Sequence, residues 1–158
     1  MEFSQTKEVI MASSILDAGI SCFDIEIGAE QLRFKSCAST PHGLISLCKR
    51  FFVSTQVHEF SSYSSGYILY WLWTKAVTDV KIFPSEPISP LVSNSNDTYI
   101  IGGGCSGNIY LWEVAGGRLL KKWNAHYRGV TCLVLSEDKS LLISRAEDGC
   151  VRVWSVLT

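Results

Sequence analysis

The sequence predicts an all-β chain in which a multi-stranded antiparallel sheet recurs about every 42 residues. Three observations lead there. A Gly stands five residues ahead of a Trp in Gly107–Trp112 and again in Gly149–Trp154, with the two tryptophans 42 residues apart. Gly66–Trp71 repeats the form 41 residues earlier, and Gly19–Phe23 is a weaker copy, one residue shorter. Around these copies, short runs rich in β-branched and aromatic residues alternate with turn residues at roughly 8–12-residue intervals, the signature of antiparallel hairpins. No long window carries apolar residues at helical spacing.

The last unit shows the alternation most plainly. Val130–Leu135 reads as a strand, Ser136–Ser140 as a polar turn and Leu141–Ser144 as the next strand. Glu147-Asp148-Gly149 then forms a tight turn into a strand at Val151–Val156. Composition agrees with a packed chain: of 158 residues, 47% are apolar and 18% charged, so a core can form. The net charge of −1 lacks the basic excess of a protein that coats nucleic acid. Cys22, Cys37, Cys48, Cys105, Cys132 and Cys150 form no C-x-x-C pair. They are therefore expected to be small buried hydrophobes in a reducing compartment, not metal ligands or a disulfide framework. Near the N-terminus, Glu2 precedes Lys7, and the apolar run Val9–Ala12 is too short for an export signal. With no run of roughly 18 apolar residues, the expectation is a soluble intracellular protein that makes no membrane contact.

These residues resemble the WD-repeat family, whose units of about 40–45 residues each form a four-stranded blade of a β-propeller. In the last unit Ala125-His126 stands where the family has Gly-His, and Val130 follows at the family's distance. Ser144, Asp148-Gly149 and Trp154-Ser155 complete the pattern, the last in place of Trp-Asp. The preceding unit keeps Trp112-Glu113 but has Pro84 near the histidine position and Ser106 in place of the Asp.

By that resemblance the elements follow in order. The first blade has strands near Val9–Ala12, Ile20–Ile25 and Gln31–Lys35. The second runs from Leu44 through Phe51–Ser54 and Tyr67–Trp73 to Val80–Phe83; Trp71 and Trp73 share a face, and either could be the repeat tryptophan. A third runs from Ile88 through Tyr99–Gly102 and Ile109–Val114 to Leu119–Trp123, and the fourth stops after its third strand. The resemblance thus implies an incomplete β-propeller over 1–158 of about three and a half four-stranded blades, near 1–40, 41–85, 86–125 and 126–158. That is half of the roughly seven blades common in such rings. The chain is therefore expected to be an N-terminal fragment of a longer protein, marginally stable alone or associating through its open ends.

Three constellations bear on chemistry. His126, Ser144 and Asp148 have the residue types of a hydrolase triad. The resemblance implies instead a structural tetrad in which these three join Trp154. Gly102-Gly103-Gly104-Cys105-Ser106-Gly107 matches G-x-G-x-x-G but runs into a strand, whereas a dinucleotide site needs a following helix N-terminus. No cofactor is expected. Arg118, Lys121, Lys122 and Arg128 surround Trp123, His126 and Tyr127, and such a basic and aromatic set can hold single-stranded RNA or a partner.

A finer resemblance lies in Gly107–Leu120, continued by His126-Tyr127-Arg128 and Val130–Leu133, in Glu8–Ser14 and in Tyr67–Trp73. These stretches are similar to WD-repeat subunits, the plant form especially, of the nuclear complex that matures large-ribosomal-subunit precursors. The resemblance implies a non-catalytic scaffold in pre-ribosomal RNA processing, in nucleus or nucleolus, bound to a PELP-type scaffold protein and pre-ribosomal particles. The repeat alone fits equally an adaptor in a ubiquitin ligase or signalling assembly.

Overall fold

The computed structural model describes residues 9–14, 17–34, 43–47, 51–59, 63–72 and 78–156. Among them are fourteen strands, all pairing antiparallel. Sheet 1 holds β1 (Val9–Ser14), β2 (Asp17–Asp24) and β3 (Glu30–Phe34). Sheet 2 holds β4 (Gly43–Leu47), β5 (Phe51–Glu59), β6 (Ser64–Leu72) and β7 (Thr78–Ile82). β8 (Ile88–Ser93), β9 (Tyr99–Gly104), β10 (Asn108–Glu113) and β11 (Leu119–Asn124) form sheet 3. Sheet 4 is β12 (Val130–Leu135), β13 (Leu141–Ala146) and β14 (Val151–Ser155). Each sheet is a meander in chain order, because every connection is short enough for a hairpin.

Alternation along each strand sends one set of side chains to the sheet before and the other to the sheet after. Three apolar layers result. Ile20, Cys22 and Phe34 of sheet 1 meet Phe52, Leu69 and Trp71 of sheet 2. Leu47, Val53, Ile68 and Tyr70 of sheet 2 meet Ile88, Ile100, Tyr110 and Trp112 of sheet 3. Ile101 and Ile109 of sheet 3 meet Val130, Leu133, Leu135 and Leu142 of sheet 4.

Three details depart from expectation. The β5–β6 hairpin is longer than the sequence indicated, with pairs running unbroken from Phe51↔Leu72 to Glu59↔Ser64. Ser64, Ser65 and Gly66 precede the strand expected at Tyr67–Trp73, but their backbone pairs with Glu59, His58 and Val57. Pro90 lies inside β8, where the register shifts between Ile88 and Leu91, so its missing N–H breaks no regular ladder. The cysteines differ more. Cys22 is buried, which pushes its thiol up to about 11, whereas Cys105, Cys132 and Cys150 are exposed. Cys105 and Cys150 sit beside the β9–β10 and β13–β14 turns, and Cys132 faces outward on β12. Apolar neighbours in sequence do not bury a residue at a turn. Cys37, Cys48 and Trp73 lie outside the described residues.

Candidate functional site: the sheet 4 network and its neighbours

The turn of one sheet positions the network of the next. Gly107, in the β9–β10 turn, has φ +91°, and its carbonyl accepts the N–H groups of Ala125 (3.1 Å) and His126 (2.9 Å). A Cβ at Gly107 would strike the His126 carbonyl, so only Gly allows this approach. The segment leaving β11 is thereby fixed, and His126 enters the interior fully buried.

From there a chain of donors runs in one direction. The Trp154 Nε1–H donates to Ser144 Oγ at 2.9 Å. Ser144 Oγ lies 2.7 Å from His126 Nε2, and His126 Nδ1 lies 3.0 Å from an Asp148 carboxylate oxygen. A carboxylate only accepts, so the ring proton sits on Nδ1 and Ser144 donates to Nε2. Asp148 also accepts the backbone N–H groups of Cys150 (2.9 Å) and Tyr127 (3.1 Å). The Cys150 bond, opposed by partial desolvation and aided by Tyr127 and His126, holds the Asp148 carboxyl below its ordinary value. The four residues are therefore brought together as one network. Ser144 has the His–Asp neighbours of a nucleophile, but it is completely buried and its oxygen already accepts the indole N–H.

Sheet 2 places Trp71 in the same relation to a serine. Trp71 Nε1 donates to Ser54 Oγ at 2.8 Å, as Trp154 does to Ser144. Ser54 pairs with Leu69 and Ser144 with Arg152, each two places before the tryptophan, so the registers are equivalent.

Sheet 3 solves the same problem differently. Gly102 occupies the serine position, pairing with Tyr110 two places before Trp112. The Trp112 ring takes the space: a Cβ on Gly102 would lie 2.8 Å from Trp112 Cζ3 and 2.7 Å from Ile88 Cγ2. Tyr110 stacks on Trp112 with centroids 5.2 Å apart. The acid moves as well. Ser106 occupies the turn position of Asp148, and Glu86 reaches in from the connection before β8. It accepts the Ser106 N–H (2.7 Å), the Ser106 hydroxyl (2.8 Å), the Asn108 amide (3.3 Å) and the Tyr110 hydroxyl. Burial works against the Glu86 charge, but these bonds outweigh it and hold the carboxyl below the usual range. Glu86, Ser54 and Gly102 were missed in the sequence. The available signal for Glu86 was an acid two residues ahead of a strand whose turn had lost its Asp.

Gly102→Ser, which would copy the residue found in sheets 2 and 4, is expected to destabilise the chain by about 1–2 kcal/mol, the lower range for overpacking. Denaturant titration against Gly102→Ala tests it; a stabilised serine variant would show that the hydroxyl, not the space, is limiting.

The two carboxylates also give a pH dependence. In the folded chain both carboxyls are held below their own ordinary values. The unfolded chain therefore binds more protons in acid, and stability rises with pH there. Their contribution is complete above the ordinary value and is lost as pH falls through the lowered folded values. Melting temperature followed from pH 6 downward should drop, and Asp148→Asn should flatten the slope.

The basic and aromatic set is not brought together on one surface. Lys121 shares its face of β11 with Trp123, its Nζ 6.0 Å from that ring, while Lys122 points to the other face, 5.0 Å from the Tyr110 ring. Arg118 precedes β11, its Nε 3.9 Å from a Glu113 carboxylate oxygen, and Tyr127 and Arg128 follow the strand. Tyr127 is 83% exposed yet held at two points: Asp148 takes its N–H, and the Arg152 guanidinium lies 5.9 Å from its ring. Arg152 is itself tied to the Ala125 carbonyl at 2.7 Å. The G-x-G-x-x-G run forms the end of β9 and its turn into β10; a Cβ on Gly103 would lie 2.6 Å from Val130 of sheet 4. Among the described residues there is no cluster of three or more His, Cys, Asp or Glu side chains able to hold a metal, and no helix long and apolar enough to cross a membrane.

Meandering sheets packed in series, each with a late-strand indole and one with the complete His–Ser–Asp–Trp network, define a WD-repeat protein. The chain belongs to that family: residues 117–155 match the model described as WD domain, G-beta repeat. It is similar to Protein ROOT INITIATION DEFECTIVE 3 of Arabidopsis thaliana, 53% identical over 94% of this chain and 33% of that protein. It is 28% identical to the pre-rRNA-processing protein IPI3 of Yarrowia lipolytica, over 89% of this chain and 32% of that one. The chain thus spans about a third of the length of the curated relatives it matches. Among solved structures it is similar to the computationally designed Ika4 protein, with TM-score 0.70 over 96% of this chain and 87% of that one; at 19% identity this shows the fold alone.

Proposed function

We propose that the chain is a non-catalytic display unit of a nuclear complex that processes pre-ribosomal RNA and assembles the large ribosomal subunit. The similarity over nine-tenths of the chain to a protein named for pre-rRNA processing carries this reading, and the higher identity to the plant protein accompanies it. The sealed network supports the non-catalytic part, since a nucleophile with no exposed surface meets no substrate. The partners in this reading are a PELP-type scaffold protein and pre-ribosomal particles. Tyr127 and Arg128 are its protein-contact residues, because an exposed aromatic already held in place loses little freedom on docking. Direct RNA contact by Arg118, Lys121 and Lys122 is not part of the reading, as these side chains point to different places.

Affinity capture of the tagged chain from nuclear extract is expected to recover the PELP-type scaffold together with large-subunit precursor RNA. Recovery of a cullin-type ligase without precursor RNA would reject it. Tyr127→Ala should weaken capture of the scaffold by about tenfold or more, as for an interface hot spot, while melting stays near wild type.

A further inference from the structure

The last strands of sheets 2 and 3, β7 and β11, do not close on each other. Between them lies a groove of about 450 Å³, floored by Tyr110 and Trp112. One wall is Ile82 and Phe83, the other Leu119 and Lys122. Both sheets hold four strands and follow each other in the chain, so no missing strand is needed to explain the opening.

The shape of β11 makes the second wall. Its pairing with β10 shifts between Leu111 and Trp112: Leu111 stands opposite Lys121 and Trp112 opposite Leu119, which leaves Leu120 as the extra residue of a bulge. In a regular strand, residues three apart point to opposite faces. The bulge instead sets Leu119 and Lys122 on one face, that of their partners Trp112 and Tyr110. Re-aiming a side chain in this way is a common use of bulges beside functional sites.

The first wall is fixed before anything binds. Phe83 is 70% exposed, yet its ring meets Tyr67 in a T-shaped contact with centroids 5.8 Å apart. Pro84 is buried where Gly66 has no side chain; a Cβ there would lie 3.1 Å from Pro84 Cγ and 2.7 Å from the Glu86 carbonyl oxygen. Across the groove, Leu119 is 47% exposed. Apolar side chains already held on facing walls lose little freedom on docking.

Lys122 is the one charged side chain lining the groove. It is exposed, its ammonium lies 5.0 Å from the Tyr110 ring, and it forms no ion pair among the described residues. Glu86, beyond the Tyr110 hydroxyl, already accepts that hydroxyl, Ser106 and Asn108. A lone cation in an otherwise apolar groove complements an apolar segment that carries a carboxylate. β7 and β11 each end their sheet, so an extended backbone can lie along their outer edges.

We propose that this groove docks an extended segment of a partner protein, its aliphatic side chain between the two walls and its Asp or Glu carboxylate on Lys122. The surface is separate from Tyr127 and Arg128.

Fluorescence anisotropy of short synthetic peptides with the purified chain tests this. The probe alternates leucine with aspartate, and its controls carry asparagine or lysine in place of aspartate. The aspartate peptide should bind, and the asparagine peptide about tenfold more weakly. Lys122→Gln should impose a similar loss on the aspartate peptide and none on the asparagine peptide, a coupling that general loss of structure does not produce. Leu119→Ser should weaken both peptides. Lys121→Gln and Tyr127→Ala should change neither, which keeps the outcome independent of the surface assigned to the scaffold protein. Absence of binding by the aspartate peptide overturns the proposal, as does equal binding of the lysine peptide or a loss that follows Lys121 in place of Lys122. Displacement of the probe by polyuridylate in a Lys122-dependent way also overturns it, since the groove would then hold RNA.

Discussion

Trp71→Ala is expected to cost about 3–5 kcal/mol, the range for deleting a buried aromatic core side chain. Trp71 is completely buried and completes a three-ring cluster. It stacks on Phe52 with centroids 5.8 Å apart and meets Phe34 edge-on at 5.5 Å, while Phe34 meets Phe52 at 4.9 Å. Removing it leaves a cavity between sheets 1 and 2 and strands Ser54 Oγ, which the indole N–H had satisfied. Trp71→Phe keeps most of the ring contact and loses the hydrogen bond, so it should cost less than half as much. Equilibrium unfolding of both variants separates the two contributions. An alanine variant within 1 kcal/mol of wild type would mean that the rings around Trp71 collapse into its space.

His126→Ala should cost about 3 kcal/mol, the upper end for leaving buried polar groups unpaired. The histidine links Ser144 to Asp148, so its loss leaves the buried Ser144 hydroxyl proton without its acceptor and takes the ring donor from the Asp148 carboxylate. The donor chain is interrupted in its middle, where mutual polarisation of the bonds is lost as well. His126→Gln could span one half of the gap and should recover part of the loss. No hydrolysis of ester or peptide substrates should be present before or after the change. Thermal melting reads the first expectation, and an activity difference between wild type and variant would reopen the enzymatic interpretation of the same three residues.

The fold was legible because its repeat is written in large aromatic residues at nearly constant spacing. Trp112 and Trp154 stand at equivalent places in their sheets, and the strand order follows from hairpins too short for any other path. The sheet 4 network could be named from sequence because all four side-chain types stand at the family's distances. Sheet 3 was harder for a physical reason. Its stabilising groups sit on the other side of the same gap: Glu86 comes from the connection instead of the turn, and Gly102 yields the serine's place to an indole. A pattern search sees the absence of His and Asp there but not the replacement, which depends on a reach across twenty residues. The exposure of Cys105, Cys132 and Cys150 was hidden for a similar reason, since hydrophobic neighbours in the chain say little about which way a turn faces. The basic set failed to cohere because Lys121 and Lys122 are adjacent, and adjacent strand residues point apart.

The Gly107 carbonyl, which holds the backbone of Ala125 and His126, ties the fate of one module to its predecessor. Opening the β9–β10 hairpin releases the segment that carries the histidine, so the fourth sheet cannot keep its interior wiring once the third has loosened. Tandem-repeat chains often come apart unit by unit, each boundary yielding separately. Here the boundary between sheets 3 and 4 is bridged by main chain as well as by side-chain packing, and these two modules should behave as a single cooperative block.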